Sequence, residues 1–227
     1  MAMLVMLPLL AAVGAFAWPR AGRWIGLAAM AGGLVLAGLL ALLLLESGAH
    51  RHSVGGWAAP LGIELRADGL AAFFLAVTAL VGVMVSVYAN DYFGSPVTGP
   101  AGHGSRFFWP LWLLLFAGLN ALFLSGDAFN LYVTLEIVGL SAVALVGLAG
   151  NRPATGAALR YLFVGLSGSL LYLMGVALLY GAHGTVDLAL LGERMTSAPH
   201  ALLALGLMAG GLLMKAALFP MHFWLPS

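Results

Sequence analysis

The sequence predicts an all-α membrane protein with about seven transmembrane helices. Of the 227 residues, 63% are hydrophobic and only 7% are charged, whereas an ordinary soluble domain carries about 25% charged residues. Apolar runs of about 17 to 25 residues, the length that a helix needs to cross a bilayer, recur along the chain. No segment between these runs is long enough to bury a core of its own, so no soluble domain is expected.

Seven apolar runs define the predicted spans. They cover residues 3–18, 24–45, 70–90, 107–124, 128–149, 157–180 and 201–219. The first run ends in Ala-Phe-Ala-Trp, which is similar to a signal-peptide cleavage site, but no basic residue precedes it, and Arg20 and Arg23 follow it. Because a signal peptide carries its positive charge before the apolar run, we expect this segment to be retained as a span.

Two of the connections are expected to carry structure of their own. Residues 62–69 alternate apolar and charged side chains, which is the period of a half-buried strand. Residues 184–195 mix apolar and charged residues over a short stretch, which favours a helix lying in the membrane interface. Both segments belong to connections on the same side of the membrane.

The basic residues in the loops predict the orientation. Arg20, Arg23, Arg106 and Arg152 fall on one side, and Arg51, Arg66 and Arg194 fall on the other. Because cytoplasmic loops carry the excess of Lys and Arg, this count of four against three favours an N-terminus outside the membrane. Residues 46–69 and 181–200 are then expected outside as well, and Arg152 inside.

Composition also excludes several kinds of function. A net charge of +1 leaves no basic block that would bind nucleic acid. The absence of cysteine excludes disulfides, thiolate-bound zinc and cysteine-bound iron–sulfur clusters on this chain. His50 and His52 have no third ligand near them in sequence, so no metal and no cofactor is predicted. Electron transfer, if any, is expected on a partner.

Three charged residues lie inside the predicted spans: Glu136, Arg160 and Lys215. A charge at the centre of a membrane helix costs about 2.5 to 3.5 kcal/mol, which makes each one a candidate functional residue. Glu136 lies roughly 12 Å along the fifth span, too deep for its side chain to reach the headgroups. Gly139 and Gly147 share its helical face and leave room for another helix. The alternative is a structural carboxyl that bonds to a neighbouring helix.

Lys215 is the one lysine of the sequence, and Pro220 follows it five positions later. Since proline cannot donate the backbone bond of a helix, we expect the seventh span to be broken at Pro220. Transporters use broken helices of this kind to build ion sites within the membrane. Gly211, one turn before Lys215, provides space on the same face. The alternative is a lysine that extends along the helix to the membrane surface.

Two further residues are weaker candidates. Arg160 lies near the start of the sixth span, where an arginine can equally extend to the surface. His222 follows the predicted break, and an imidazole can exchange protons at physiological pH, although a role in the aromatic belt or as a helix cap is nearly as well supported. A buried acid and a buried base can pass a proton between them without covalent chemistry. The pattern therefore favours proton or cation movement and no catalysis by the chain itself.

Three segments of the sequence resemble one family of membrane proteins. They are "GDAFNLYVTLEIVGLSAVALV" from Gly126, "ALRYLFVGLSGSLLYLMGVALLYGAHGTVDLALL" from Ala158 and "LLMKAALFPMHFWLP" from Leu212. They closely resemble the antiporter-like subunits shared by respiratory complex I (NADH:quinone oxidoreductase), Mrp-type Na⁺/H⁺ antiporters and membrane-bound hydrogenases. The resemblance covers about residues 55–227.

The resemblance implies roles for individual residues. Glu136 matches the family's essential glutamate on the fifth helix, and Lys215 matches the central lysine on the broken seventh helix. Arg160 falls where the family often has a basic residue, and His222 matches the histidine after the break.

The resemblance also implies an incomplete transporter fold. Family members have roughly fourteen spans, including two inverted five-helix repeats. Residues 1–106 would form an N-terminal three-helix region with an outer-face loop at 46–69, and residues 107–227 would form an incomplete first proton-channel repeat. We therefore expect a truncated sequence or one piece of a split subunit, which would not transport ions alone.

The predicted function is translocation of protons, or Na⁺/H⁺ exchange, by a multi-pass subunit in the cell's inner (plasma) membrane. The expected partners are the lipid bilayer and other membrane subunits of a larger redox-driven or Mrp-type complex. A non-conducting scaffold subunit is the alternative. A stand-alone solute transporter lacks support, because no further polar cluster is present to recognise a solute.

Overall fold

The fold is an α-helical bundle with one small β-hairpin. The computed structural model describes residues 1–57, 62–94, 104–195, 199–222 and 224–225. Within these ranges the helices are α1 (Ala2–Ala17), α2 (Gly22–Ser47), α3 (Gly69–Gly94), α4 (Gly104–Phe123), α5 (Ala128–Gly147), α6 (Arg152–His183), α7 (Leu188–Arg194) and α8 (Pro199–Lys215). The strands are β1 (His50–Ser53) and β2 (Glu64–Ala67).

The helices confirm the prediction of an all-α membrane protein. Five of them, α2 to α6, are long and apolar enough to cross a membrane. The first and last predicted spans appear as α1, with 16 residues, and α8, with 17 residues. Both are apolar but shorter than the roughly 20 residues that span a bilayer at right angles. Of the seven predicted spans, five are therefore confirmed as helices of membrane-spanning length, and the first and last are shorter apolar helices.

The β-hairpin covers one end of the bundle. β1 and β2 pair in antiparallel fashion, with His50 opposite Ala67 and Ser53 opposite Glu64. Leu65 and Ala67 of β2 are buried against the helices, while Arg66 is exposed. The alternation predicted for residues 62–69 is thus confirmed over β2. The sequence of β1 has no such alternation, and this strand was not predicted.

The linker between α4 and α5 is held between the hairpin and the start of α7. Three backbone hydrogen bonds make these connections: Arg66 N to Leu124 O at 2.7 Å, Gly126 N to Glu64 O at 3.0 Å, and Ala128 N to Val186 O at 2.8 Å. The helix predicted in residues 184–195 is confirmed as α7, which has seven residues. We call this end of the bundle, formed by the hairpin, residues 124–127 and α7, the hairpin face.

Helices α6 and α8 approach each other closely along a line of small residues. Gly168 and Gly175 lie on α6, and Ala204 and Gly211 lie on α8. A Cβ atom at Gly168 would lie 2.9 Å from the carbonyl oxygen of Gly211, and one at Gly211 would overlap the carbonyl oxygen of Gly168. Small residues allow such backbone contact between membrane helices. This contact, which we call the α6–α8 seam, brings the end of α8 beside α5 and α6.

Candidate functional site

Glu136 and Lys215 form an ion pair between α5 and α8. Lys215 Nζ lies 2.9 Å from Glu136 Oε1 and also donates to the carbonyl oxygen of Leu135 at 3.3 Å. The side chains are only 14% exposed for Lys215 and 18% exposed for Glu136. Gly139 faces the ammonium group, since a Cβ atom there would lie 3.8 Å from Nζ. The structure thus brings together the two residues that the sequence singled out most strongly.

Ser169 on α6 is a third member of this site. Its hydroxyl donates to Glu136 Oε1, the same oxygen that Lys215 contacts. The hydroxyl also lies 3.0 Å from the carbonyl oxygen of Gly165, one turn earlier on α6. Ser169 is 1% exposed. Sequence reasoning missed this residue, because serines inside helices commonly bond to their own backbone and so carry no distinctive signal.

The ion pair lines a crevice of about 100 Å³ between α5, α6 and α8. Its walls are mostly apolar and include Val138, Leu140 and Leu166. Glu136 and Lys215 are the charged groups among its described lining residues. A water molecule needs roughly 10 to 15 Å³ of such space, so the crevice has room for several waters beside the pair.

Helix α8 ends at Lys215, five residues before Pro220. The N–H of Leu218 bonds to the carbonyl oxygen of Leu213, and the N–H of Ala217 bonds to that of Met214, both at 3.2 Å. This pair of bonds is the Schellman motif that terminates helices. Ala217 occupies the left-handed position of the motif, with φ of 48°. The helix was predicted to break at Pro220, but it ends at this motif, earlier in the chain.

The segment after α8 packs back onto α6. Trp224 stacks on Tyr161 with 5.1 Å between ring centroids, and its Nε1 donates to the carbonyl oxygen of Met214 at 3.2 Å. That carbonyl belongs to the last turn of α8, where helix carbonyls lack partners within the helix. Lys215 lies in the same turn, where the helix dipole favours a positive charge. The segment thus packs against the helix end that carries the lysine.

The other two predicted relay residues lie at more exposed positions. Arg160 is exposed on α6, one residue before Tyr161, which lines the crevice. His222 is exposed in the turns after α8, and its ring lies 5.6 Å from that of Phe219. Their membership of a relay stays a prediction.

Two buried aspartates cap helices at the hairpin face. Asp127 accepts from the N–H of Asn130 at 2.6 Å at the start of α5, and Asp187 accepts from that of Leu190 at 2.8 Å at the start of α7. Burial raises the pKa of Asp127 above its ordinary value of 3.8, although the backbone hydrogen bonds act in the opposite direction. Sequence reasoning did not single out these caps. An Asp directly before an apolar helix is the signal that would have found them.

The geometry permits proton exchange between a buried acid and a buried base. Apolar walls disfavour both charges when the two groups are apart, while contact between them stabilises both charges. No group of three or more His, Cys, Asp or Glu residues that could hold a metal ion occurs in the part of the chain described.

The chain is similar to known membrane proteins. Residues 125–227 match the family described as "NADH:quinone oxidoreductase/Mrp antiporter, TM". The chain is 41% identical over 208 residues to NADH-quinone oxidoreductase subunit N of Desulforudis audaxviator, and the match covers 86% of this chain and 40% of that protein. It is 32% identical over 205 residues to a subunit of the Na⁺/H⁺ antiporter of Bacillus subtilis, with 88% and 40% covered.

A solved structure is also similar over nearly the whole chain. It belongs to the membrane-bound sulfane sulfur reductase, an archaeal respiratory membrane complex, with a TM-score of 0.89 and 30% identity. The match covers 98% of this chain and 46% of that one. The present chain spans about two fifths of the length of the curated relatives that it matches.

Proposed function

Since the chain belongs to the family of antiporter-like membrane subunits of NADH:quinone oxidoreductases and Mrp antiporters, we propose that it translocates protons, or exchanges sodium ions for protons. It does so as one subunit of a larger redox-driven or Mrp-type membrane complex. The observation that carries this proposal is the part-buried contact of 2.9 Å between Lys215 Nζ and Glu136 Oε1. The relatives are themselves named as subunits, which supports a multi-subunit setting.

The proposed mechanism is a change in the contact between Glu136 and Lys215. In contact, both groups are charged and stabilise each other in apolar surroundings. When the lysine moves away, it releases a proton from Nζ to water on one side of the site, and the isolated carboxylate takes up a proton from water on the opposite side. When the pair re-forms, the carboxyl transfers this proton to Nζ of the lysine, so each cycle moves one proton past the site. In this proposal, Arg160 and His222 extend the relay beyond the pair.

One observation supports such a movement of Lys215. Lys215 is the last residue of α8, and the described residues beyond it lie in turns. A group at a helix end can change position with less disturbance than one in the middle of a packed helix, because fewer backbone hydrogen bonds must break. Glu136, by contrast, lies near the middle of α5 and provides a fixed partner.

The proposed orientation places the hairpin face and the N-terminus on the outer side of the inner (plasma) membrane, opposite the cytoplasm. Arg20 lies in the connection between α1 and α2 at the opposite end of the bundle, and Arg23 and Arg152 lie in the first turns of α2 and α6 at that end. An excess of positive charge there favours the cytoplasm. An Ala49→Cys variant, in a chain without cysteine of its own, should react with a membrane-impermeant thiol reagent added outside. Reaction from the cytoplasmic side alone would reverse this orientation.

The test of the function is proton flux through the assembled complex in proteoliposomes. Glu136→Ala and Lys215→Ala should each reduce flux to near the background of protein-free vesicles, while the complex still assembles. Glu46→Ala, which removes an exposed carboxylate at the end of α2, should leave flux unchanged. Lys215→Arg should also impair flux, because arginine keeps its charge at physiological pH and cannot release a proton.

The same assay separates the proposal from its alternative. A scaffold subunit that merely holds partners would keep wild-type flux in both alanine variants whenever the complex assembles. Arg160→Ala and His222→Ala test the extended relay, and unchanged flux in either would remove that residue from it. Uptake of radioactive sodium, measured beside proton flux, distinguishes proton translocation from Na⁺/H⁺ exchange.

A further inference from the structure

We propose that Ser169 is a positioning residue that follows the protonation state of Glu136. Its hydroxyl hydrogen points to Glu136 when the carboxyl is ionised and to the carbonyl of Gly165 when the carboxyl is protonated. The carboxyl thereby keeps a hydrogen-bond partner in both states and stays in position for the return of Lys215. This inference rests on the proposed function of the ion pair and adds a residue to it.

The first support is the position of the serine oxygen between two acceptors. Ser169 Oγ contacts Glu136 Oε1 on α5 and lies 3.0 Å from Gly165 O on α6. A serine hydroxyl has one hydrogen to donate and two lone pairs that accept. It can therefore donate to only one of these two oxygens at a time. The choice depends on whether the carboxyl offers a hydrogen of its own.

The two protonation states satisfy different sets of hydrogen bonds. When Glu136 is ionised, Oε1 accepts from both Ser169 Oγ and Lys215 Nζ. When Glu136 takes up a proton, the carboxyl O–H donates to Ser169 Oγ, and the serine hydrogen turns to Gly165 O. The serine carries one hydrogen throughout, and the added proton stays on the carboxyl. Neither state leaves a buried donor without an acceptor, which would otherwise be costly.

The second support is that Ser169 is held rigidly. It is 1% exposed, and it directly follows Gly168, where the backbones of α6 and α8 are in contact. Ser167, two residues earlier on α6, makes the same kind of bond to its own helix, to the carbonyl of Phe163 at 2.9 Å. The side chain of Ser167 is exposed, whereas that of Ser169 is turned towards α5. Ser167 is therefore a matched control.

The groups around Glu136 define what else can affect its protonation. Among the described residues, Lys215 faces it from α8, and Tyr161 lines the same crevice from α6. Arg160 precedes Tyr161 on α6. These groups are unchanged in the serine variants, so a difference between the variants reports on the hydroxyl.

The first measurement is proton flux through the assembled complex. Ser169→Ala should lower flux at least about tenfold, as expected for loss of a hydrogen bond to a charged group, and Ser167→Ala should not. Ser169→Thr keeps the hydroxyl and Ser169→Val replaces it with a methyl of the same size, so Thr should retain far more flux than Val. If the two larger side chains prevent assembly, the comparison of Ser169→Ala with Ser167→Ala decides.

The second measurement is infrared difference spectroscopy of the same complexes on acidification. The carbonyl band of protonated Glu136 is identified by its loss in Glu136→Gln. Ser169→Ala should shift this band to higher wavenumber, because the carboxyl loses its hydrogen-bond partner, while Ser167→Ala should leave it in place. A purely structural role for Ser169 would lower flux or assembly without this shift.

The outcomes separate this inference from the proposed function. An unshifted band in Ser169→Ala, or the absence of any band that Glu136→Gln removes, would overturn the role of Ser169. Wild-type flux in Glu136→Ala and Lys215→Ala would overturn the proposed function, even if the band shifts as expected. Normal flux and an unshifted band in Ser169→Ala, with loss of flux in Glu136→Ala, would reject the inference and retain the function.

Discussion

Glu136 and Asp127 are carboxylates of different roles because their partners differ. Glu136 contacts the ammonium group of Lys215, whereas Asp127 accepts from the backbone at the start of α5. Removing one partner of a buried ion pair typically costs about 3 to 5 kcal/mol, since the other charge remains buried and unpaired. Removing a capping side chain typically costs about 0.5 to 2 kcal/mol. The first residue is thus paired with a charge on another helix, and the second with the start of its own helix.

Asp127 should make the stability of the protein depend on pH. Because burial raises its folded-state pKa above the ordinary value of 3.8, its contribution to stability is fully present below that value and is lost as pH rises through the raised pKa. Asp127→Asn keeps the cap, since Asn and Asp cap equally well, but it does not ionise. The melting temperature of Asp127→Asn should therefore rise relative to wild type as pH increases from about 4 to about 8.

The control for this prediction is Asp127→Ala, which loses the cap and should be less stable than Asp127→Asn throughout the pH range. Thermal unfolding of the purified complex in detergent measures all three proteins. If the melting temperatures of wild type and Asp127→Asn change in parallel with pH, ionisation of Asp127 does not affect stability.

Sequence alone found the ion pair but not its serine. Glu136 and Lys215 stand out because charges inside apolar runs are rare and costly. Ser169 has no comparable signal, since its importance depends on α5 and α8 packing against the same side of α6. Arg160 and His222 were predicted from pattern and resemblance, and both are exposed in the structure. A charge in an apolar run can be recognised from the sequence, whereas the role of a neutral hydroxyl can be recognised only from its tertiary contacts.

At the scale of elements, the α6–α8 seam determines where the lysine lies. Gly168 and Gly211 bring the two helix backbones into contact. Lys215 follows Gly211 by about one turn, so it lies near the same face of α8. The seam therefore directs the lysine towards α5, where Glu136 is located.

Adjacent glycines on α8 allow a matched test of the seam. A Cβ atom at Gly211 would overlap the carbonyl oxygen of Gly168 and lie 2.8 Å from the backbone nitrogen of Tyr172, whereas one at Gly210 would meet nothing within 4 Å. Gly211→Ala should destabilise the protein by about 1 to 3 kcal/mol, because backbone atoms must shift. Gly210→Ala should be neutral or stabilise the protein by up to about 1 kcal/mol.

Thermal unfolding and the yield of assembled complex measure both variants. Equal behaviour of Gly210→Ala and Gly211→Ala would show that the backbone contact is not required. A stable Gly211→Ala complex with full flux would also show that the α6–α8 seam is not needed to place Lys215 beside Glu136.

Elements were predicted from sequence where hydropathy alone specifies them. The long helices α2 to α6 follow from the length of the apolar runs, and the buried alternation of β2 follows from its period of two. β1 does not, because its residues form a strand only by pairing with β2. The end of α8 was predicted from Pro220, but the helix ends at a Schellman motif with Ala217 in the left-handed position. That position usually holds glycine, so alanine gave no signal.

At the scale of the whole molecule, the hairpin face and the ion pair lie at different depths of one bundle. The hairpin face joins the linker before α5 to the segment before α7 through backbone hydrogen bonds. It therefore fixes the starts of these helices, while Lys215 lies at the far end of α8. A bundle that is rigid at one end and carries its lysine at a helix end within the apolar region suits movement of one charge against a fixed partner.

The central claim is that Glu136 and Lys215 act as one unit in proton translocation. The most direct measurement is proton flux through the reconstituted complex with Glu136→Gln, Lys215→Gln and the double variant. Because residues that act as a unit give non-additive losses, each single variant should fall close to background, and the double variant should be no worse than the poorer single one. Wild-type flux in either single variant, or losses that multiply in the double variant, would contradict the claim.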